Sequence, residues 1–270
     1  MIPVYARIRT IVQSGWSRKL ESTPDERRKF ILAELQSKGR LSTADLAERF
    51  SLSEDTARRD FRELAADGLI KRVHGAALPV TPGEQPFQGR YKIARDVKTK
   101  LARIAAEIVL PDQIIMIDGG TTNLELAKHL PLDLRATVIT NSPTIATATA
   151  EHRNLEVILL GGVFDKRSQM TLGARVLEQI HALSADICFI GVHGLHEEYG
   201  LTTAGYDEAA VKAAMLQVSA EVVAIATPDK IGTAGAYKFA PLSAVDVLVT
   251  DRSVRDNPTL EKVSAKVLTD

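Results

Sequence analysis

Two groups of residues in this chain have the types and spacing to do chemistry, and they lie far apart in the sequence. The first is Arg58, Arg59 and Arg62, which a helix would carry along one side, followed by Lys71, Arg72 and His74. A guanidinium is a planar fork of donors that pairs with the O6 and N7 edge of guanine or grips a phosphate, whereas an ammonium acts mainly as a point charge. The second group gathers around four short turns: DGGTTN (118–123), TNSPT (140–144), Gly161-Gly162 and GVHG (191–194). Small residues leave backbone amides open to an anion, and hydroxyls add donors. Glu208 and Lys212, four apart, share a helix face, either as a surface ion pair or as charges brought to the strand ends by the preceding Gly-Leu-Thr-Thr loop. Lys230 is a second candidate cation for phosphate. His193 either hydrogen-bonds sugar hydroxyls or serves the structure. Each turn alone reads as structure, but four that converge point to a small phosphorylated ligand. No G-x-G-x-x-G or G-x-x-x-x-G-K-[ST] run occurs, so neither a dinucleotide nor a Walker-type nucleotide site is expected.

Positioning the first group takes three helices and a hairpin. Thr23 and Pro24 open a helix with Asp25 and Glu26 at its positive end, and Phe30, Ile31 and Leu35 give it an apolar stripe ending at Gly39. Ser42 caps a short second helix with Leu46, Ala47 and Phe50 inward. After the tight FSLS joint, Ser53 caps a third helix over about 54–67. Its Ala57, Phe61, Leu64 and Ala65 stripe packs inward and turns Asp55, Arg58, Arg59 and Arg62 outward. Gly68 stops it, and LIKRVHGAAL reads as two extended segments of a basic wing. The order predicts a winged helix-turn-helix whose contacts to double-stranded DNA fall on Ser42, Thr43, Ser53, Thr56, Arg58, Arg59, Arg62, Lys71, Arg72 and His74. A plain solvated helix surface is the alternative for an isolated stripe of this kind.

Positioning the second group takes an α/β domain. Residues 81–91 combine Pro, Gly and Gln without periodicity and read as a linker. A helix over about 92–109 follows, either extending the linker or docking on the domain. Apolar runs at 114–118, 136–140, 155–160, 186–190, 221–226 and 245–250 then alternate with helical patterns, which predicts a mainly parallel sheet sandwiched by helices over 92–270. Ligands in such sheets collect beyond the carboxyl ends of the strands, where the four turns fall.

Composition bounds the rest. The 270 residues are 45% hydrophobic and 25% charged, enough for one small and one medium domain. The formal net charge of zero hides an asymmetry: residues 1–80 carry 15 Lys+Arg against 11 Asp+Glu, and residues 81–270 carry 19 against 23. A basic lobe joined to an acidic one is what is expected if only the first meets a polyanion. The single cysteine, Cys188, excludes a disulfide framework and a Cys-based zinc site, and reads as a buried small hydrophobe. His129, His152 and His181 are read as helical residues without metal-ligand spacing, and no metal or cofactor is expected. Residues 1–22 read as a flexible arm or an upstream extension, and the absence of a membrane span or compact secretory core suggests a cytoplasmic protein.

LSEDTARRD with GLIKRVHG, then DGGTTN, TNS, LLGG, GLTT followed by EAAVKAAM, and APLSAVDVLVTD together resemble the DeoR-type family of bacterial transcriptional regulators over roughly residues 25–252. The resemblance implies an N-terminal DNA reader and a sugar-phosphate-sensing domain similar in fold to ribose-5-phosphate isomerase. It also implies an oligomer, dimer or tetramer, that represses a catabolic operon until a phosphorylated sugar binds. Family ligand contacts would fall on Asp118, Gly119, Gly120, Thr121, Thr122, Asn141, Ser142, Glu208 and Lys212. The chain departs from the family pattern at His193, where an acidic residue is common, and at Asp229 to Gly232, where an S-K-F-G-like run is common. The rival reading is a sugar-phosphate isomerase or hydrolase with Glu208 as general base and Lys212 or Lys230 holding the phosphate. A DNA-binding protein without any ligand is the third.

Overall fold

The computed structural model describes residues 23–38, 41–67, 69–73, 75–79 and 85–270. The expected arm at 1–22, the helix-ending Gly39 and Gly68, and His74 lie outside them. The chain divides into two compact units, 1–80 and 81–270.

In the first unit, α1 (Pro24–Lys38), α2 (Thr43–Phe50) and α3 (Glu54–Ala66) surround a core of Ile31, Leu35, Leu46, Ala57, Phe61 and Leu64. The expected caps form: Ser42 accepts from the Asp45 N–H at 3.0 Å and Ser53 from the Thr56 N–H at 3.2 Å. The joint between α2 and α3 is tight because Ser51 adopts the left-handed conformation, φ 53°, and the Leu52 N–H returns to the Ala47 carbonyl at 2.9 Å. Strands β1 (Leu41–Ser42), β2 (Ile70–Val73) and β3 (Ala76–Pro79) form an antiparallel sheet in the order β1-β3-β2, with Ile70 and Ala77 closing the core. A contact that periodicity does not reveal locks α1 to α3. Arg27 forks onto Asp60 through Nε–Oδ2 at 2.6 Å and NH2–Oδ1 at 3.0 Å, both side chains buried.

The second unit opens with α4 (Phe87–Lys92) and α5 (Arg95–Ala106). Residues 87–91 are therefore a docked helix and not the linker their composition suggests. Phe87 is buried, and its N–H donates to the Arg167 carbonyl at 2.9 Å. The main sheet holds seven parallel strands: β4 (Ile114–Ile117), β5 (Ala136–Thr140), β6 (Leu155–Leu159), β9 (Ala185–Gly191), β12 (Ser219–Ile225), β14 (Val247–Thr250) and β15 (Lys266–Thr269). Their order is β15-β14-β12-β9-β4-β5-β6. Met116 of β4 sits between Ile139 of β5 and Cys188 of β9, which fixes the register at the centre. Alternate residues face opposite layers: Ile115, Ile117 and Phe189 meet α5 and α6 (Thr121–His129), while Met116, Cys188 and Ile190 meet α8 (Ala174–His181) and α9 (Tyr206–Gln217). Burial on both faces explains why these strands read as unbroken apolar runs. Between β5 and β6 lies α7 (Pro143–Ala148).

Three features differ from the sequence expectation. Residues 200–203 form a strand, β11 (Gly200–Thr203), between β10 (Gly194–His196) and β13 (Tyr237–Ala240) in a small antiparallel sheet, and not a loop. The Gly161-Gly162 turn leads into a hairpin of β7 (Val163–Asp165) and β8 (Met170–Leu172). His152 lies outside the helices, buried, with Nε2 on the Leu130 carbonyl at 3.1 Å. Cys188 is fully buried as expected, and burial pushes its thiol up to about 12. Among the described residues no helix is long and apolar enough to cross a membrane.

Candidate functional site

The arginine stripe of α3 stands clear of its own core. Arg58, Arg59 and Arg62 are exposed, as are Ser53 and Arg72, while Ser42 and Thr56 are half-buried. Two of the arginines are held by acids of the same helix: Arg58 reaches Glu54 at 2.6 Å and Asp55 at 3.2 Å, and Arg59 reaches Glu63 at 3.1 Å. Ser53 and Thr56 share a hydroxyl contact at 2.9 Å at the amino end of α3. Lys71 and Arg72 lie on β2; His74 is outside the described residues. Thr43 does not join this face. It is buried, and its Oγ1 donates to the Gly75 carbonyl at 3.1 Å, which ties α2 to the hairpin turn.

In the second unit the strand order reverses between β4 and β9. The chain runs outward through β5 and β6, returns to β9 beside β4, and continues the other way to β15. Loops leaving β4 and β9 therefore diverge and open a crevice beyond the strand ends. A cavity of about 240 Å³ lies there, lined by Gly119 to Asn123 after β4 and Gly191 to His193 after β9. Gly120, with φ 144°, leads into the first turn of α6, a backbone region that L side chains rarely adopt. A Cβ on Gly119 would fall 2.2 Å from Met170 Cγ, so a larger residue here would force the Met170 side chain of the hairpin to move.

Charge at the floor is organised around Lys212, which is buried on α9 with Asp118 and Glu208 beside it. Its Nζ donates to Asp118 Oδ2 and to the Gly191 carbonyl at 2.9 Å, and lies 3.4 Å from Glu208. Burial alone would lower the lysine's pKa, but Asp118 and Glu208 more than offset it and hold it above its ordinary value. Burial would likewise raise Glu208, yet Lys212, Thr203 and Arg90 pull it below the usual range. Asp118 is pushed up by burial, against the pull of Lys212 and the Gly191 N–H. Asn123 Nδ2 donates to the Asp118 and Phe189 carbonyls at 2.8 and 3.1 Å, which leaves its Oδ1 buried without a partner, as is Asp118 Oδ1. Asn123 lines the cavity, whereas Asp118, expected from the family resemblance to contact the ligand, is fully buried and does not line it.

Cations line the cavity as well. Lys230 lines the cavity with Nζ on the Val192 carbonyl at 2.7 Å; burial, then Arg90, lowers its pKa to about 8. Arg90 of α4 and Arg167 of the β7–β8 turn also line it, and neither stood out in the sequence. Burial depresses Arg90 too, and its Nε has no hydrogen-bond partner. Asn141 and Ser142 do not reach the cavity wall. Asn141 Oδ1 accepts from the Gly119 N–H at 3.1 Å and Ser142 Oγ meets Thr144 at 2.8 Å, so both shape the loops from behind. Gly161 and Gly162 also lie away from it. Gly161 exchanges hydrogen bonds with Gln179 at 3.2 and 2.7 Å, and Gly162 packs where a Cβ would strike Val176 and the Leu172 carbonyl. Among the described residues no group of His, Cys, Asp and Glu is arranged to hold a metal.

A three-helix unit with a hairpin and an exposed arginine stripe, in one chain with a parallel-sheet unit holding a polar crevice at its switch point, defines a DNA-binding transcriptional regulator with a sensor domain. The chain belongs to the DeoR family: residues 27–82 match the DeoR-like helix-turn-helix domain and residues 93–252 the DeoR C terminal sensor domain. It is 34% identical over 230 residues to the HTH-type transcriptional repressor GlcR of Bacillus subtilis (strain 168), covering 84% of this chain and 88% of that one. It is 30% identical over 227 residues to the glycerol-3-phosphate regulon repressor of Escherichia coli (strain K12), covering 84% and 90%. A ribose 5-phosphate isomerase A from Methanocaldococcus jannaschii overlays 51% of the chain and 54% of its own at 17% identity, with a TM-score of 0.38. As a member of this helix-turn-helix family the chain binds operator DNA.

Proposed function

We propose that the chain represses a sugar or polyol catabolic operon as a homo-oligomer, dimer or tetramer, and leaves its operator when a phosphorylated sugar or polyol fills the crevice of the second unit. One observation carries this reading: the cavity is lined by Asn123, whose Oδ1 has no hydrogen-bond partner, and by the cations Arg90, Arg167 and Lys230. A ligand that satisfies both brings a hydroxyl donor and an anion. Thr121, Thr122 and the α6 amides add donors beside the cations. One relative is named for a glycerol-3-phosphate regulon, so phosphorylated polyols belong first among the ligands to try.

An isomerase or hydrolase reading would need Glu208 free to take a proton. Here its charge is committed to Lys212 at 3.4 Å, which supports a sensor that performs no turnover. Gel-shift titration of the full chain on its operator with a panel of phosphorylated sugars and polyols tests the proposal. Release of DNA by one member and not by its dephosphorylated form is the expected result. Unchanged DNA affinity with a compound proven to bind, or turnover of any of them, counts against it. A full reversal of occupancy requires the ligand to favour the non-binding state by ~5.5 kcal/mol.

A further inference from the structure

Residues 83–92 are matched by neither the helix-turn-helix domain nor the sensor domain of the family, yet Gln85 and Arg90 line the cavity. Helix α4, which carries Arg90, is fastened to the second unit along its length. Phe87 is buried with its N–H on the Arg167 carbonyl, Lys98 Nζ donates to the Arg90 carbonyl at 2.5 Å, and the Tyr91 hydroxyl meets Lys128 Nζ at 2.6 Å. These contacts hold the backbone and leave the guanidinium facing the cavity over the Phe87 ring, 5.9 Å from its centroid. Its Nε is the one buried donor beside the cavity that lacks a hydrogen-bond acceptor, among the described residues. Arg167, across the same wall, adds like charge, while its turn is held by Asp165, which accepts from the Ser168 N–H at 2.9 Å. Lys212 is a poor alternative seat for an anion because two carboxylates already flank it.

We propose that Arg90 and Arg167 are the clamp that takes the anionic group of the ligand, and that α4 is the element through which occupancy is felt by the segment leading back to the DNA-binding unit. The proposal rests on the sensor reading above and adds to it a residue outside the family sensor domain. An anion between the two guanidiniums gives the orphaned Nε an acceptor and cancels the repulsion between like charges. It also adds a side-chain link between α4 and the β7–β8 turn to the backbone bond from the Phe87 N–H to the Arg167 carbonyl. The planar fork suits a tetrahedral anion better than an ammonium would.

The test is hydrogen exchange over residues 86–94 of the full chain, titrated with inorganic phosphate against chloride of matched ionic strength. In the unaltered protein phosphate is expected to slow exchange across this segment. Arg90→Gln raises the half-saturating phosphate about ten- to hundredfold, Arg90→Lys falls between, and Arg135→Gln, whose ion pair with Asp112 lies elsewhere, changes nothing. If Arg90→Gln alters exchange beyond 86–94 before phosphate is added, Arg90→Lys carries the comparison. An Arg90→Gln or Arg90→Lys titration that overlays the unaltered protein overturns the clamp, and so does phosphate that leaves 86–94 unaffected in the unaltered chain. If phosphorylated sugars still release operator DNA in that case, the repressor reading survives and only the clamp falls. If 86–94 respond while no sugar phosphate releases DNA, the reverse holds.

Discussion

The arginines of α3 and Arg90 of α4 carry the same side chain into opposite circumstances. On α3, Arg58 and Arg59 are exposed and already paired with Glu54, Asp55 and Glu63, so water and a cheap partner both support them. Such exposed pairs contribute about 0.2–1 kcal/mol, which a phosphate or a guanine edge replaces with little loss. Arg90 is half-buried in the crevice wall, with its Nε left unmatched, so part of the cost of removing it from water is incurred before any ligand arrives. The difference teaches how one chain prepares for two anions. In the proposed reading, α3 keeps its arginines exposed and exchangeable for DNA, and the crevice keeps Arg90 short of a hydrogen-bond acceptor, so that a small anion recovers a large interaction.

Arg27 supplies the third case, buried and fully paired, and perturbing it should give the largest effect. Asp60→Ala leaves a buried guanidinium without its carboxylate and should destabilise the first unit by about 3–5 kcal/mol, read by urea denaturation; a loss below about 1 kcal/mol would remove burial as the deciding variable. Next, Arg58→Ala and Arg59→Ala should each weaken operator binding by ~1–3 kcal/mol with stability nearly unchanged. Gel shifts on base-substituted operators separate the roles: relaxed preference at one position marks a guanine contact, and uniform weakening marks phosphate.

A smaller effect concerns pH. Lys98 and Lys230 are lowered to about 8 by burial, against an ordinary value of 10.5. Because the folded chain gives up these protons earlier than the unfolded one, their burial penalty is constant below about pH 8 and diminishes from there toward 10.5, so stability gains with rising pH in that window. Anion binding runs the other way, since Lys230 lines the cavity and supports an anion there only while it is charged. Affinity for inorganic phosphate by calorimetry should fall above about pH 8, by up to about tenfold per pH unit, as Lys230 loses its proton. Affinity that rises through that window would contradict the assignment. Smallest of all, Arg90→Met should leave the thermal midpoint of the second unit unchanged or raised by the equivalent of about 1 kcal/mol, because burial is the largest influence on this charge and opposes it, and its Nε has no hydrogen-bond partner. A clear drop in that midpoint would mean Arg90 is a structural post, and the contrast with α3 would lose its point.

Much of this was legible in the residues because local rules and tertiary structure agreed. Ser42 and Ser53 cap their helices as their positions suggest, and β-branched runs such as ATVIT at 136–140 are strands because both faces are covered. DGGTTN and GVHG fall at the crevice because the strands before them, β4 and β9, flank the reversal in strand order. What sequence could not show is long-range. Arg27 and Asp60 are 33 residues apart and meet only when α1 packs on α3. Arg90 and Arg167 sit in segments without periodicity, a six-residue helix and a hairpin turn, where composition reads as linker or loop. Glycine pairs mislead in the same way: Gly119-Gly120 borders the cavity, whereas Gly161-Gly162 serves a turn beside Val176, and nothing local separates them.

The silent thiol of Cys188 has a practical consequence. With its sulfur fully enclosed in the central strand and its ionisation displaced to about 12, the natural chain offers almost no thiolate to a maleimide dye at neutral pH. A cysteine introduced at exposed Lys92, at the end of α4, would then be the only site to take the label, and its fluorescence would follow that helix in the otherwise native protein.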